Sequence, residues 1–197
     1  VRDIRRRAIE GKGLRQRLKA TTRMDRQTDL SILASTEIFR SLPNETLDEA
    51  RRLALRKRIP KGEVLYNQGD AVANFYVVVV GRLRVVQMTS EGDRITLRYL
   101  GPGEMAGYAA LADAPAHPGT VIAVDDTHLF AWTTHAIQQL MLKHSQLAMN
   151  AVAVLATRYQ EIQLRLRELS TESVELRIAH TLLRLAKHAG RRTAQGI

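Results

Sequence analysis

The stretch from Gly103 to Val121, GEMAGYAALADAPAHPGTV, contains the residues best suited to ligand chemistry in this chain. It has the form of a loop that cradles a phosphate group, in which backbone amides at the start of a short helix face the anion. Gly103, Glu104 and Gly107 fit the turn that presents such amides, and Thr120 offers a hydroxyl. A phosphate loop normally adds an arginine and a carboxylate. Neither stands where it would be needed, so the sequence leaves open whether this site binds a phosphate, another ligand or nothing.

Catalytic patterns are weak in the rest of the chain. The sequence has no glycine-flanked serine nucleophile and no lysine-containing phosphate loop. The histidines lie at least seven residues apart, so the His-x-His pair of metal-dependent oxygenases is missing. We therefore expect a protein that is not an enzyme and has no metal site of that kind. Six histidines could each ligate a cofactor, and the one inside the loop is the least weak candidate: His117, His128, His135, His144, His180 and His188.

The elements that must position the loop are mainly strands. After Pro60 the chain turns into short segments rich in Val, Ile, Tyr and Leu and bounded by glycine, namely EVLYNQGD, NFYVVVVG, RLRVVQM, RITLRYLGPG, TVIAV and HLFAW. Their spacing predicts a sandwich or rolled barrel. In RLRVVQM and RITLRYL apolar and polar residues alternate, so each strand has one face towards a core and one towards water. The alternation places Arg82, Arg84 and Arg98 on the solvent side.

Helices are expected before and after the strands. The pattern from Leu30 to Ile59 is helical and should cover the barrel. After Trp132 more than thirty residues follow without glycine or proline, which predicts one long helix. A last helix is expected to begin near Ser170 and Thr171, with Glu172 and Glu175 in its first turn. Its buried stripe would be Val174, Ile178, Thr181, Leu182 and Leu185.

The long helix has an apolar seam of the kind found in coiled coils. Six residues recur at alternating intervals of three and four, and a second copy of the chain is the expected partner. Met141, Leu147 and Val154 lie off the seam and would face the barrel. The alternative is that the seam residues pack on their own domain. The seam consists of Val152, Leu155, Tyr159, Ile162, Leu166 and Leu169.

The composition indicates one soluble domain with appendages. The chain has 197 residues, of which 45% are hydrophobic, and it contains neither an apolar run long enough to span a bilayer nor a pattern that resembles a secretory signal. The absence of cysteine excludes disulfides and cysteine-held iron–sulfur clusters and favours a cytoplasmic protein. Of the net charge of +10, +6 lies in residues 1–30, a basic arm that could contact DNA phosphates or simply be solvated.

The order of these segments resembles the Crp/Fnr transcription regulators. The resemblance covers about residues 31–188 and is carried by PKGEVLYNQGD through FYVVVVGRLRVVQM, the LGPGEMAG turn, DDTHLFAW, the long helix and RIAHTLLRLAK. It implies a double-stranded β-helix, or jelly roll, that senses a small molecule and is flanked by helices. It also implies a helix that pairs two subunits and a winged helix-turn-helix that binds DNA.

By this resemblance the chain divides into a basic arm (1–30), a β-roll sensor domain (31–136), a dimerisation helix (137–169) and a hinge with the start of a DNA-binding domain (170–197). The base-reading helix and the wing are missing from this chain, so the DNA contact is expected in a region beyond it. No membrane partner is implied. The hinge would be formed by Leu169, Ser170, Thr171 and Glu172.

The loop departs from the pattern of the family's nucleotide binders. Tyr108 stands where they have a glutamate, and Gly119, or Pro118 if the loop shifts, stands where they have an arginine. Loss of a desolvated arginine pair costs several kcal/mol, so the site disfavours cyclic AMP. What remains suits a mostly apolar or aromatic ligand. The expected ligand-binding residues are Gly103, Glu104, Gly107, Tyr108, Ala109, His117, Gly119 and Thr120.

Two readings of the site remain open. In the first, the protein senses a small effector other than cyclic AMP; the family includes haem-dependent nitric oxide sensors and regulators that respond to aromatic acids, and in the haem case a histidine would be the axial ligand. In the second, the pocket is vestigial and the dimeric regulator works without an effector. The sequence does not name the effector.

Overall fold

Two four-stranded antiparallel sheets form the body of the protein in the computed structural model, which describes residues 26–112, 114–171 and 173–189. One sheet has the strand order β1-β8-β3-β6 and the other the order β2-β7-β4-β5. This arrangement confirms the roll that the glycine-bounded segments predict. The strands are β1 (Leu55–Ile59), β2 (Val64–Tyr66), β3 (Asn74–Val80), β4 (Leu83–Met88), β5 (Arg94–Leu100), β6 (Met105–Ala106), β7 (Thr120–Ala123) and β8 (Thr127–Thr133).

Helices cover the first sheet on one side. Trp132 of β8 is fully buried among them, and its indole nitrogen donates to the Ala50 carbonyl at 2.7 Å. Phe39 and Phe75 pack against the same indole, with ring centroids 5.5 and 5.8 Å away. The helices are α1 (26–35), α2 (Asn44–Leu53), α3 (Thr134–Lys143), α4 (Ser145–Thr171) and α5 (Val174–Ala189), with short 3-10 helices at Glu37–Phe39 and Tyr108–Leu111.

Strand β1 was not expected, because LRKRI reads as the end of a helical segment. It pairs with β8 at the edge of the first sheet, and only Ile59 of its five residues is buried. Its cations are held by acids on other elements: Arg56 by Asp29 at 2.6 Å and Arg58 by Asp126 at 3.2 Å. An edge strand needs no apolar alternation when its side chains face water, so the sequence pattern does not reveal it.

The single long helix of the sequence prediction is in fact two helices. The break falls at His144, whose backbone leaves the helical region with φ −123° and ψ 91°. The His144 ring is tied to α2, with Nε2 3.0 Å from a Glu49 carboxylate oxygen and Nδ1 3.5 Å from the Thr46 hydroxyl. The predicted dimerisation helix, 137–169, therefore spans most of α3 and nearly all of α4.

Both ends of the described chain differ from expectation. Helix α1 already includes residues 26–30 of the predicted arm, where Asp29 is buried beside Arg56; residues 1–25 lie outside the described ranges. At the other end Ser170 and Thr171 do not start the last helix, because α4 runs through them. The α5 stripe is not buried: Val174, Ile178 and Leu182 are 56–60% exposed and Thr181 is also exposed, and the side chain of Leu185 is not described.

The predicted hinge overlaps the end of α4. Its first three residues, Leu169, Ser170 and Thr171, belong to that helix. Glu172 itself lies outside the described residues. Ser173 precedes α5, with its carbonyl accepting from the Arg177 amide at 3.1 Å. Helix α4 thus extends through Thr171 and α5 begins at Val174.

Candidate functional site

A glycine turn positions the loop that the sequence singled out. Gly107 has φ 77°, and a Cβ atom there would lie 2.6 Å from the Asn74 carbonyl oxygen, so both conformation and space require glycine. The turn leads directly into the short helix Tyr108–Leu111. Its amide is not free: Gly107 N donates to the Tyr66 hydroxyl at 3.0 Å. A phenol of the protein therefore occupies the place where a phosphate loop would present this amide to a ligand.

Tyr66 also packs against His117, so this one side chain contacts both halves of the loop. Their rings stack with centroids 3.7 Å apart at 11°, and His117 is only 4% exposed. His117 Nδ1 is buried and has no hydrogen-bond partner among the described atoms. Burial lowers the pKa of His117, partly offset by the nearby Asp70 carboxylate, and burial raises the pKa of Tyr66. Both rings are therefore neutral walls at physiological pH.

Two arginines approach the hydroxyl of Tyr108. Arg98 of β5 donates to it at 3.1 Å and lies over the ring, 5.2 Å from the centroid. Arg158 of α4 interacts with the same phenol. Burial alone would lower the pKa of Arg158, but the interactions with Tyr108 and Glu161 raise it above its ordinary value. Tyr108 thus lies between a strand of the roll and the long helix.

The inward position of Arg98 contradicts the expectation that alternation sends it to solvent. The last residues of β5 show why: Arg98 shares a face with the fully buried Leu100. Leu100 pairs with Leu83, also fully buried, and this pair fixes which side is inside. Ile95 and Leu97 are 52% and 37% exposed, and the pairing register with β4 shifts at Leu97. Arg82, by contrast, pairs with Asp125 at 3.0 Å.

Helix α4 has two faces of different character. Leu147, Ala151 and Val154 are buried against the core, as the sequence predicted for Leu147 and Val154. Asn150 on the same side donates to the carbonyls of Ile38 and Arg40 at 3.0 and 2.8 Å. The six seam residues lie on the other side and are 39–64% exposed, so they do not pack on their own domain: Val152, Leu155, Tyr159, Ile162, Leu166 and Leu169.

Comparison with known proteins places this architecture. A model of the cyclic nucleotide-binding domain matches residues 56–144. The cyclic AMP receptor protein of Thermus thermophilus is 32% identical over 155 residues, which cover 79% of this chain and 72% of that protein. The chain belongs to the Crp/Fnr family of transcription regulators.

Solved Crp/Fnr-like structures agree with this assignment. The crystal structure of the Thermus thermophilus catabolite activator protein matches with a TM-score of 0.65 at 33% identity, over 77% of this chain and 71% of that one. The sensor domain of the regulator DNR from Pseudomonas aeruginosa matches with a TM-score of 0.58 over 73% of this chain and 95% of that one. At 24% identity the second match shows the fold alone. These Crp/Fnr relatives are transcription regulators rather than enzymes.

The predicted ligand residues of this Crp/Fnr chain only partly come together. Gly107 and His117 both contact Tyr66, and Tyr108 follows Gly107 in the chain. Glu104 instead closes its own turn, with its carboxylate accepting from the Gly101 amide at 2.7 Å, and Thr120 Oγ1 accepts from the Gln68 amide at 2.9 Å. Gly103 N donates to the Val78 carbonyl, Ala109 lies half-buried in the short helix, and Gly119 lies against the Val86 carbonyl.

Sequence reasoning missed Tyr66, Arg98 and Arg158 in this site. Tyr66 was visible only as one residue of a strand, and Arg158 only as a charge between seam positions. Arg98 could have been placed from the pairing of the hydrophobic residues Leu83 and Leu100. If Leu100 faces the core, Arg98, two residues earlier in the strand, faces it as well.

The described histidines are not grouped with other metal-ligating side chains. Among the described residues no group of three or more His, Asp or Glu side chains is placed to hold a metal ion. His117 is buried with one face against Tyr66, so a haem could reach it only if these rings moved apart. His128 and His135 are exposed, His144 and His180 lie beside Glu49 and Glu168, and the side chain of His188 is not described.

None of the helices in the described ranges is long and apolar enough to cross a membrane.

Proposed function

We propose that this protein is a dimeric, DNA-binding transcription regulator that senses a small effector other than cyclic AMP in its β-roll. The main support for the proposal is that α4 has one buried face and one exposed apolar face. Buried residues fix one face to the roll, while the seam from Val152 to Leu169 stays exposed. A monomer rarely leaves such a continuous apolar stripe in water. A second copy of the chain would bury it as a coiled coil.

The dimer is tested by placing a charge in the seam. Leu155→Glu would bring two carboxylates into a dry interface, so we expect a monomer by light scattering. Leu164→Glu is the matched control, because Leu164 is 46% exposed on the same helix but off the seam. It should leave the dimer intact. A dimer that survives Leu155→Glu would refute the seam.

The proposed effector site lies where Tyr66, Tyr108 and His117 meet. Its walls are neutral rings, which suits a ligand with an apolar or aromatic body. The glutamate and the arginine expected of the family's nucleotide binders are replaced by Tyr108 and by Gly119 or Pro118. Calorimetry with cyclic AMP, aromatic acids and haem tests this site. Tight binding of cyclic AMP alone would contradict an effector of another kind, and a Soret band lost in His117→Ala would identify a haem sensor.

Transmission would be a shift between two arrangements of α4 in the dimer. A ligand that contacts both the roll and α4 favours the arrangement in which these contacts are made. The turn between α4 and α5 would pass the change to the DNA-binding region, which we expect beyond this chain. Selection from a random DNA library, with and without effector, tests this step for the full-length protein. The affinity of the selected DNA should fall steeply with salt.

A second candidate function is that of a dimeric regulator that needs no effector. It is favoured by one observation: the polar groups around the turn already bond to each other, through Gly107 N with Tyr66 and Thr120 with the Gln68 amide. In this case no tested ligand binds, and DNA affinity does not change on adding any of them. Saturable binding of one of these ligands would instead support the proposal of an effector-sensing regulator.

A further inference from the structure

Arg98 carries a half-buried positive charge that no carboxylate of the described residues balances. Its described partners are the Met105 carbonyl at 3.2 Å, the Tyr108 hydroxyl at 3.1 Å and the face of the Tyr108 ring. All three are neutral. A desolvated cation without an acid is costly, so proteins normally pair it or use it to bind an anion.

Arg158 reaches the same phenol from the long helix. Its Nη1 donates to both oxygens of Glu161 at 2.9 and 3.0 Å, and its Nη2 to Glu37 at 3.3 Å. Its Nε is buried and has no partner among the described atoms. A second guanidinium with a spare donor thus lies near Tyr108. Arg98 therefore donates to a neutral hydroxyl with a second cation nearby, whereas an anionic oxygen would accept hydrogen bonds roughly twice as strong.

We propose that Arg98 and Arg158 bind a carboxylate or phosphoryl group of the effector, which displaces the Tyr108 hydroxyl from between them. The inference rests on the proposed function and narrows its effector to an oxyanion on an apolar or aromatic body. Neither arginine belongs to the glycine loop from Gly103 to Thr120. The bound oxyanion would join β5 of the roll to α4, so its binding energy is available to hold the helix in one arrangement.

Calorimetry at constant ionic strength tests the site with benzoate, inorganic phosphate, cyclic AMP and the neutral benzamide. Benzoate should bind at least about tenfold more tightly than benzamide, a difference of about 1.4 kcal/mol. Arg98→Gln should weaken benzoate binding by at least about tenfold and leave benzamide unchanged. Arg94→Gln is the control, an exposed arginine of the same strand, and should not change either affinity.

Tyr108→Phe separates a ligand site from a purely structural cluster. It removes the oxygen that competes for the two guanidinium groups, so benzoate should bind at least as tightly as in the wild type. For Arg158 the corresponding pair is Arg158→Gln, expected to weaken binding, and Arg167→Gln, an exposed position of the same helix that should have no effect. Weaker benzoate binding in Tyr108→Phe would overturn displacement of the hydroxyl.

The oxyanion site is overturned if no tested anion shows saturable binding, if benzamide binds as well as benzoate, or if Arg98→Gln binds benzoate like the wild type. None of these results refutes the proposed regulator. Its dimer is tested separately by Leu155→Glu, and a neutral effector could still bind the roll. Arg98-dependent binding of cyclic AMP above that of benzoate would instead support the oxyanion site as a phosphodiester site. It would contradict the proposed function in its choice of effector.

Discussion

Asn150 fixes α4 to the sensor domain, and removing its side chain should show how strongly. Its amide nitrogen is the donor for two carbonyls, Ile38 O at 3.0 Å and Arg40 O at 2.8 Å, and the residue is 7% exposed. Asn150→Ala leaves both without this donor. A buried polar group left unsatisfied costs about 1–3 kcal/mol, and the Arg40 carbonyl is only partly buried. We therefore expect a loss of about 2–4 kcal/mol in the free energy of unfolding.

Urea unfolding followed by the fluorescence of Trp132, the only tryptophan, measures this loss. For a chain of this size each kcal/mol corresponds to roughly 2–4 °C in Tm, so melting offers a second readout. All variants must be compared at one protein concentration, because a dimer's stability depends on it. Gln146→Ala is the control: exposed Gln146 donates only to the Asn150 side chain, and about 0.5 kcal/mol or less is expected. An Asn150→Ala variant no less stable than the control would refute the anchoring role.

Two further perturbations test the loop. Gly107→Ala should lower the free energy of unfolding clearly more than Gly92→Ala. Both glycines have a positive φ, but an added Cβ would meet the Asn74 carbonyl only at Gly107. Equal losses in urea unfolding would contradict the steric argument. Because burial lowers the pKa of His117, the unfolded chain takes up the proton first, and stability should fall as the pH drops below about 6.5. His117→Phe keeps the stack on Tyr66 and should lose less between about pH 7.5 and 5.5; identical pH slopes would exclude this contribution.

The strands of the roll could be predicted because their boundaries are written in the sequence. Glycines close the turns, and β3, β7 and β8 are continuous apolar runs that become buried. Strand β1 could not be predicted in this way, because its charges are matched by Asp29 and Asp126 from distant parts of the chain. A local hydrophobicity pattern does not show which distant residues form ion pairs.

The side chains of the candidate site could be predicted less well than the strands. The glycine turn and the participation of His117 follow from local sequence, whereas the inward direction of Arg98 does not. Alternation gives two faces for a strand but does not say which is inside, and in β5 it is interrupted by a register shift at Leu97. Burial of Leu100 opposite Leu83 decides it, and this is a property of the sheet. The seam of α4 could be predicted because its period is local, and its exposure in a single chain agrees with that prediction.

The two ends of α4 are held to the roll by different forces, and this difference bears on signalling. From Leu147 to Val154 the helix is held by buried apolar side chains and by Asn150, contacts that are lost only at a large cost. Beyond Val154 the described links to the roll are polar, from Arg158 to Glu37 and from Arg165 to the Leu97 carbonyl at 3.2 Å. Exposed polar contacts of this kind contribute little and exchange readily with water. A ligand at Tyr108 lies beside Arg158, where the first kind of contact gives way to the second. It would therefore act on the part of the helix that is cheapest to move, which is also the part that leads to α5.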